Sequence, residues 1–357
     1  MNVTVYKRIT FLERGEGMGK VSFWIIVFAI INVPIVSAEK VSHPPTYEQM
    51  KEAIKEDESF DTDLYEALQY TSEDIQRLKN TGNIQYIIAA ASQLHGSERI
   101  SLLVEHLKDV EKNILGLSLL ITTLLHEDEI RKTPSIEGLI QKLKELSPNN
   151  GYPYYLRAYY YARKGDTDFC IKYTKQATQY PVFNNYEVEL SENSIAGSIF
   201  LGYSKLAAQI HALVPQNDIF LYYKLAQYIL KNSSDNKADI LLCLEMGKIL
   251  QAASTTVISD YISIAILKKT FEALKTYQET KGNLSSLNKL KERLTILTEC
   301  SKKISTNSDI SETRWVEHYD ELYAVSEQSA MKKLIADYPA TIALDGKLID
   351  CISQVAQ

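Results

Sequence analysis

The sequence predicts an all-α protein assembled from short helices packed in pairs. Three observations carry this. Only 9 prolines and 14 glycines interrupt 357 residues, and no proline falls between Pro215 and Pro339, a span that a sheet with its turns would rarely leave unbroken. The dipeptides Asn150-Gly151 and Asp345-Gly346 lie beside Pro148 and Pro153 or among helix formers, not between β-branched runs as hairpin turns would. Apolar residues recur instead at i, i+3, i+4 and i+7.

Composition is that of a folded chain: 45% hydrophobic, 24% charged, with a net charge of −6. This excludes wholesale disorder and a collagen-like fibre. The acidic balance also argues against a nonspecific nucleic-acid binder, which needs a basic footprint.

Taking the segments in order, residues 18–38 read as an export signal. Met18-Gly-Lys20 gives a basic start, an apolar run from Val21 to Ile31 follows, and Val36-Ser37-Ala38 supplies small residues for cleavage after Ala38. An uncleaved membrane anchor over 21–38 is the alternative. No cysteine stands at the cleavage point, so a lipoprotein is excluded. Residues 1–17 are long for an n-region and include two glutamates. Glu13-Arg-Gly-Glu-Gly17 can be encoded largely by purines, as a translated ribosome-binding site would be, which makes Met18 a candidate true start and the chain bacterial. Removal of residues 1–38 takes away four basic and two acidic residues, moving the charge from −6 to −8.

Beyond the leader the expected regions are an N-terminal helical region (39–147), helical repeats (148–255) and C-terminal helical hairpins (256–357). Helices are expected at 46–56, 61–70, 72–80, 83–95, 97–126, 135–146, 152–164, 167–179, 191–213, 217–231, 236–253, 256–281, 284–305, 311–337 and 340–355. Residues 260–305 suggest an antiparallel hairpin, with Ile262, Ile266, Thr270, Ala273 and Tyr277 in one stripe, Gly282 as C-cap, and Leu287, Leu290, Leu294 and Leu297 in the next.

The best-defined unit runs from Pro148 to Pro181. Tyr155, Ala158, Tyr159 and Ala162 share one face of its first helix; Gly165-Asp166 turns the chain; Cys170, Tyr173, Thr174 and Ala177 share a face of its second. Counting from Gly151, this helix–turn–helix resembles a tetratricopeptide (TPR) repeat. Tyr154 and Tyr161 fall on its aromatic positions, Ala158 on the small position, and Ala177 on the late alanine. It departs from the pattern at Arg157, Cys170 and Thr174, and Pro181 comes one residue early. The resemblance implies helix pairs stacked as a TPR-like α-solenoid with protein–protein interaction as its work. A second unit is suggested by aligning Tyr155–Lys164 with Tyr222–Lys231, and Phe169-Cys170-Ile171 with Leu242-Cys243-Leu244 across a longer turn at 232–237.

No motif names a reaction or calls for a cofactor. There is no Gly-x-Ser-x-Gly, P-loop or His-Glu-x-x-His. His126-Glu-Asp-Glu129 and Glu317-His-Tyr-Asp-Glu321 carry ligand-type residues, but single helices spread them over different faces, so no metal is expected. Glu66, Glu73 and Glu192 read as helix-surface charges. Cys170, Cys243, Cys300 and Cys351 are isolated; buried free thiols are the preferred reading, with Cys300–Cys351 the pairing to check.

Tyrosine is the distinguishing residue. Nine of the 23 fall in residues 152–186, and one helix cannot bury them all against a single neighbour. They either pack between repeats or present rigid amphipathic area to a ligand. Tyr154, Arg157, Tyr160, Tyr161 and Arg163 are the candidate binding residues. The expected function is that of an exported, periplasmic or extracellular helical scaffold that binds a protein or peptide partner without catalysis. An envelope hydrolase with a helical body and a membrane-tethered structural protein are the alternatives.

Overall fold

The computed structural model describes residues 69–126, 135–212, 220–274 and 310–338, with isolated positions elsewhere. The expected leader, the helices expected at 46–56 and 340–355, all but the last two residues of that expected at 61–70, the second arm of the 260–305 hairpin, and Cys300 and Cys351 lie outside these ranges. The described residues are all-α: α1 (Ser72–Asn80), α2 (Ile84–Gln93), α3 (Gly96–Glu105), α4 (Leu107–Val110), α5 (Ile114–His126), α6 (Ile136–Leu146), α7 (Tyr152–Arg163), α8 (Thr167–Ala177), α9 (Glu187–Leu201), α10 (Lys205–His211), α11 (Phe220–Asn232), α12 (Lys237–Ala252), α13 (Val257–Leu274), α14 (Glu312–Ala324) and α15 (Glu327–Asp337). One isolated parallel bridge, Asn150 to Val182, is the extended pairing among them. No helix among the described residues is long and apolar enough to cross a membrane.

Helix boundaries follow capping chemistry. Thr71 and Asp74 form a reciprocal capping box at the start of α1. Three spans expected as continuous are interrupted, and Asn113, Ser204 and Ser326 cap the helices that follow, while His106 makes no side-chain capping bond. The 97–126 span breaks at His106 and again at Asn113, whose Oδ1 accepts from Leu115 N and Gly116 N at 2.9 and 3.1 Å. The 191–213 span begins earlier, at Glu187, and stops at Gly202 (φ 102°), after which Ser204 caps α10. The 311–337 span is divided by Ser326, which caps α15.

The larger apolar core among the described residues extends from Leu78 to Ile266, across the expected 147/148 and 255/256 boundaries, and a smaller cluster of Ile240, Leu244, Leu267, Phe271 and Leu274 joins α12 to α13. The centre of the larger core is α5, buried from Gly116 to Leu125, with Thr122 and Thr123 returning their hydroxyls to carbonyls one turn back. Consecutive helices pack as pairs: α1/α2, α5/α6, α7/α8, α11/α12, α12/α13 and α14/α15. The α7/α8 pair stacks directly on α11/α12. Tyr155, Ala158, Tyr159 and Ala162 and their aligned counterparts Tyr222, Leu225, Ala226 and Ile229 are all buried, so the expected second unit has a structural counterpart.

Between these pairs the chain departs from nearest-neighbour stacking. Helix α9 returns to α1 and α2, with Ser92 and Ser194 hydroxyls 2.9 Å apart across 102 residues. The Tyr70 hydroxyl meets Ser198 Oγ at 2.8 Å, and Ser198 Oγ meets His211 Nδ1 at 3.0 Å, continuing the polar seam into α10. A Cβ added to Gly197 would lie 2.6 Å from that of Ala89, so the backbones approach as closely as glycine permits.

Candidate functional site

The tyrosine-rich α7/α8 pair is held at both ends by backbone geometry. Asn150 Oδ1 accepts from Tyr152 N and from Asn184 N, both at 3.0 Å, and its Nδ2 donates to Asn184 O at 2.6 Å and to the Tyr186 hydroxyl at 3.0 Å. Gly151 N donates to Val182 O at 2.9 Å, and a Cβ on Gly151 would come within 2.7 Å of the Ala177 carbonyl oxygen. The unit therefore begins and ends on one amide cluster that spans 34 residues. At the turn, Gly165 takes φ +77°, and Asp166 N and Gly165 N donate to Tyr161 O and Ala162 O, closing α7 before Asp166 caps α8.

Helix α7 is enclosed on most sides because α5, α6, α8 and α11 all pack against it. Tyr152 lies against Phe183 and Tyr186, and Tyr155 against Phe183 and Tyr222, all edge-on. Two candidate residues share this fate. Tyr154 and Tyr160 are each 8% exposed, so the exposed Tyr154/Tyr160 patch that a ligand site would need is not formed, and these rings pack between helices. Tyr154 stacks on Tyr180 at 4.7 Å with the two hydroxyls 2.5 Å apart. Burial opposes ionisation of Tyr154, but Lys144 and the Tyr180 hydroxyl outweigh it and hold this hydroxyl below its ordinary value, while Tyr180 is raised through the shared hydrogen bond. Arg163 donates to the Leu125 carbonyl near the end of α5, which places it in a structural contact.

Arg157 and Tyr161 belong to a different environment. The Tyr161 hydroxyl donates to Glu137 Oε1 of α6 at 2.5 Å, a bond that pushes its pKa up to about 12. Arg157 pairs with the same carboxylate at 3.7 Å and lies over Tyr173 at 4.7 Å. The Tyr161 ring is nearly parallel to Phe169 (4.9 Å, 22°) and to Tyr173 (5.4 Å, 19°), which are themselves nearly parallel at 6.2 Å. Lys164 stands over Tyr160 at 4.3 Å, and Lys172 over Phe169 and Tyr173 at 5.2 and 5.6 Å. Phe169 is 41% exposed, and Tyr161 and Tyr173 are half-exposed. The result is a cation-rimmed aromatic shelf on one side of the helix pair.

Phe169, Lys172 and Tyr173 were legible in principle. Phe169 and Tyr173 are four apart on α8, and Lys172 lies between them. Their meeting with Tyr161 follows from the tight Gly165-Asp166 turn. The assignment of Tyr173 to the buried face of α8 is half right: Cys170, Thr174 and Ala177 are buried there, while Tyr173 lies at its rim.

Other candidate chemistry is dispersed. Among the described residues no group of three or more His, Cys, Asp or Glu is placed to hold a metal ion. In the Glu317–Glu321 stretch Arg314 takes Glu317, Lys205 takes Asp320, Lys333 takes Glu321, and His318 is buried beside Trp315. Glu127, Asp128 and Glu129 lie outside the described residues, as does Glu66; Glu73 and Glu192 are exposed helix charges. Cys170 and Cys243 are buried free thiols, with burial pushing Cys170 up to about 12 and Cys243 higher. A shallow surface depression of about 310 Å³ is lined by Ile75, Lys79, Leu94, Ser97, Glu98, Ser101, Leu102 and Glu105.

Fold and surface together define an all-α protein of packed helix pairs carrying a partly exposed aromatic shelf. No family model matches the chain, and neither a curated protein nor a solved structure matches it.

Proposed function

We propose that the chain is an exported TPR-like helical scaffold that holds a protein or peptide partner in the cell envelope and performs no catalysis. The observation that supports this reading is the Tyr161–Phe169–Tyr173 shelf. Three near-parallel rings, one of them 41% exposed, form an apolar cluster bordered by Arg157, Lys164 and Lys172. Stacked rings held by their neighbours lose little freedom on binding, and aromatic and arginine side chains dominate protein interfaces. The rigid amide cluster at Asn150 and the enclosed core beneath α7 keep the shelf in one shape, as a recognition surface requires.

Export rests on the leader at 18–38, with the periplasm or the cell exterior as destination. The test is a crosslinked pull-down of the C-terminally tagged chain from its own envelope fraction, wild type beside Phe169→Ser. A reproducible protein partner that the variant loses is the expected result. Recovery of the chain alone from both, or of the same partner by both, overturns the reading.

A further inference from the structure

We propose that the Tyr161–Phe169–Tyr173 shelf is a docking surface for an acidic peptide segment with an apolar or aromatic anchor residue, an inference that rests on the scaffold reading. Charge makes the case. Residues 152–177 hold five cations, Arg157, Arg163, Lys164, Lys172 and Lys175, against Asp166 and Asp168, a net charge of +3 in a chain of −6. The basic island is local, and the shelf stands on it.

The shelf's cations are not equally committed. Glu137 is occupied by the Tyr161 hydroxyl and Arg157. Asp166 Oδ1 accepts from Phe169 N at 3.1 Å as the cap of α8. Asp168 stands in the first turn of α8, where the helix dipole favours a negative charge. Lys164 and Lys172 are exposed, and neither has a carboxylate partner among the described residues. Each instead lies over an aromatic ring, which places the ammonium group at the shelf with no carboxylate in direct contact.

A partner suited to this surface packs an apolar side chain against the exposed part of Phe169 and places carboxylates beside the two lysines. The aromatic contact supplies affinity, and the lysines supply selection and faster encounter with acidic chains. A basic peptide meets like charge, and a neutral one gains nothing from the rim.

The test is selection of a random peptide library displayed on phage against the full-length chain, with the selected peptides then titrated onto wild type, Lys164→Glu/Lys172→Glu and Phe169→Ser. Lys164→Gln/Lys172→Gln is the milder variant should charge reversal perturb folding, which circular dichroism reports. The expected result is enrichment of Asp and Glu next to Phe, Trp or Leu. Affinity should fall at least ~10-fold on charge reversal and less on neutralisation, and should weaken as salt is raised. Peptides without acidic bias that need Phe169 but ignore the lysines would overturn the acidic preference and leave the scaffold reading standing. Peptides that bind every variant as well as wild type, or no selected peptides at all, would overturn both.

Discussion

Tyr155 and Tyr222 meet edge to face, their ring centroids 5.8 Å apart and their planes at 90°. They are 67 residues apart and occupy the same position in the two aligned helix pairs, α7/α8 and α11/α12. Like positions of the two aligned helix pairs therefore touch across their interface. The contact arises although α9 and α10 intervene in sequence and pack elsewhere. Thr167 Oγ1 and the Tyr228 hydroxyl, 3.1 Å apart, make a second tie across the same interface.

The Tyr155 ring is wholly buried, yet its hydroxyl has no hydrogen-bond partner, and burial drives its pKa far up. An unpartnered buried hydroxyl costs free energy that a ring without it avoids. Tyr155→Phe should therefore leave stability unchanged or raise it by up to about 1 kcal/mol. Tyr152→Phe, which gives up the 3.1 Å contact with Ser118 Oγ, should lower it by about 1 kcal/mol. Paired urea titrations decide it; equal destabilisation by both would refute the distinction.

The amide cluster at the base of α7 predicts two large losses. Asn150→Ala deletes four hydrogen bonds in a buried place and should cost about 2–3 kcal/mol. Gly151→Ala pushes a methyl group against a backbone carbonyl that cannot turn away, at a cost of about 1–3 kcal/mol. Thermal unfolding of the two variants is the check, and a wild-type midpoint in either would show that the cluster does not bind the unit together.

What could be read from the sequence was what depends on local spacing. Helices α1, α6, α7, α8, α11 and α12 lie where their apolar periodicity and caps put them, because each carries its own start or stop, such as Gly165-Asp166. The breaks at Asn113, Ser204 and Ser326 were missed because a single capping residue within a periodic run looks like an ordinary surface residue until the helix N–H groups it serves are in place. The return of α9 to α1 and α2 was beyond reach, since no local pattern records which face meets which across 100 residues. The site divides the same way. Tyrosine density marked α7, but which rings would be enclosed depended on how many neighbours surround it, so Tyr154 and Tyr160 went inside while Phe169, not singled out, became the most exposed ring of the cluster.

The α9 return is open to a direct test at its closest approach. Gly197→Ala forces two Cβ atoms into 2.6 Å and should destabilise the fold by about 1–3 kcal/mol. Ala89→Gly opens the space and alone should cost up to about 1 kcal/mol as a helix-interior glycine. If the two residues touch, the double variant should be more stable than the sum of the two effects allows, with a coupling of at least ~0.5 kcal/mol. Strict additivity would place α9 elsewhere.

His318 gives the fold a dependence on acid. It is 6% exposed, with its ring 5.5 Å from Trp315 and at 90° to it. Burial, opposed in part by a hydrogen bond to the Ala330 backbone and reinforced by Arg314, lowers its pKa from 6.5 to about 4. A histidine whose pKa is lower folded than unfolded binds protons preferentially when unfolded. Stability is then complete above pH 6.5, falls as pH drops from there toward 4, and is wholly lost from this group below 4, by about 3 kcal/mol in all. His318→Gln, which does not titrate, should flatten that slope while leaving the slopes of other groups in place. A Trp24→Phe background removes the signal of the only other tryptophan in the sequence, and Trp315 then reports the change. Unfolding followed by its fluorescence between pH 4 and 7 should separate wild type from variant progressively with acid; parallel curves would mean that His318 takes up its proton without opening the α14/α15 pair.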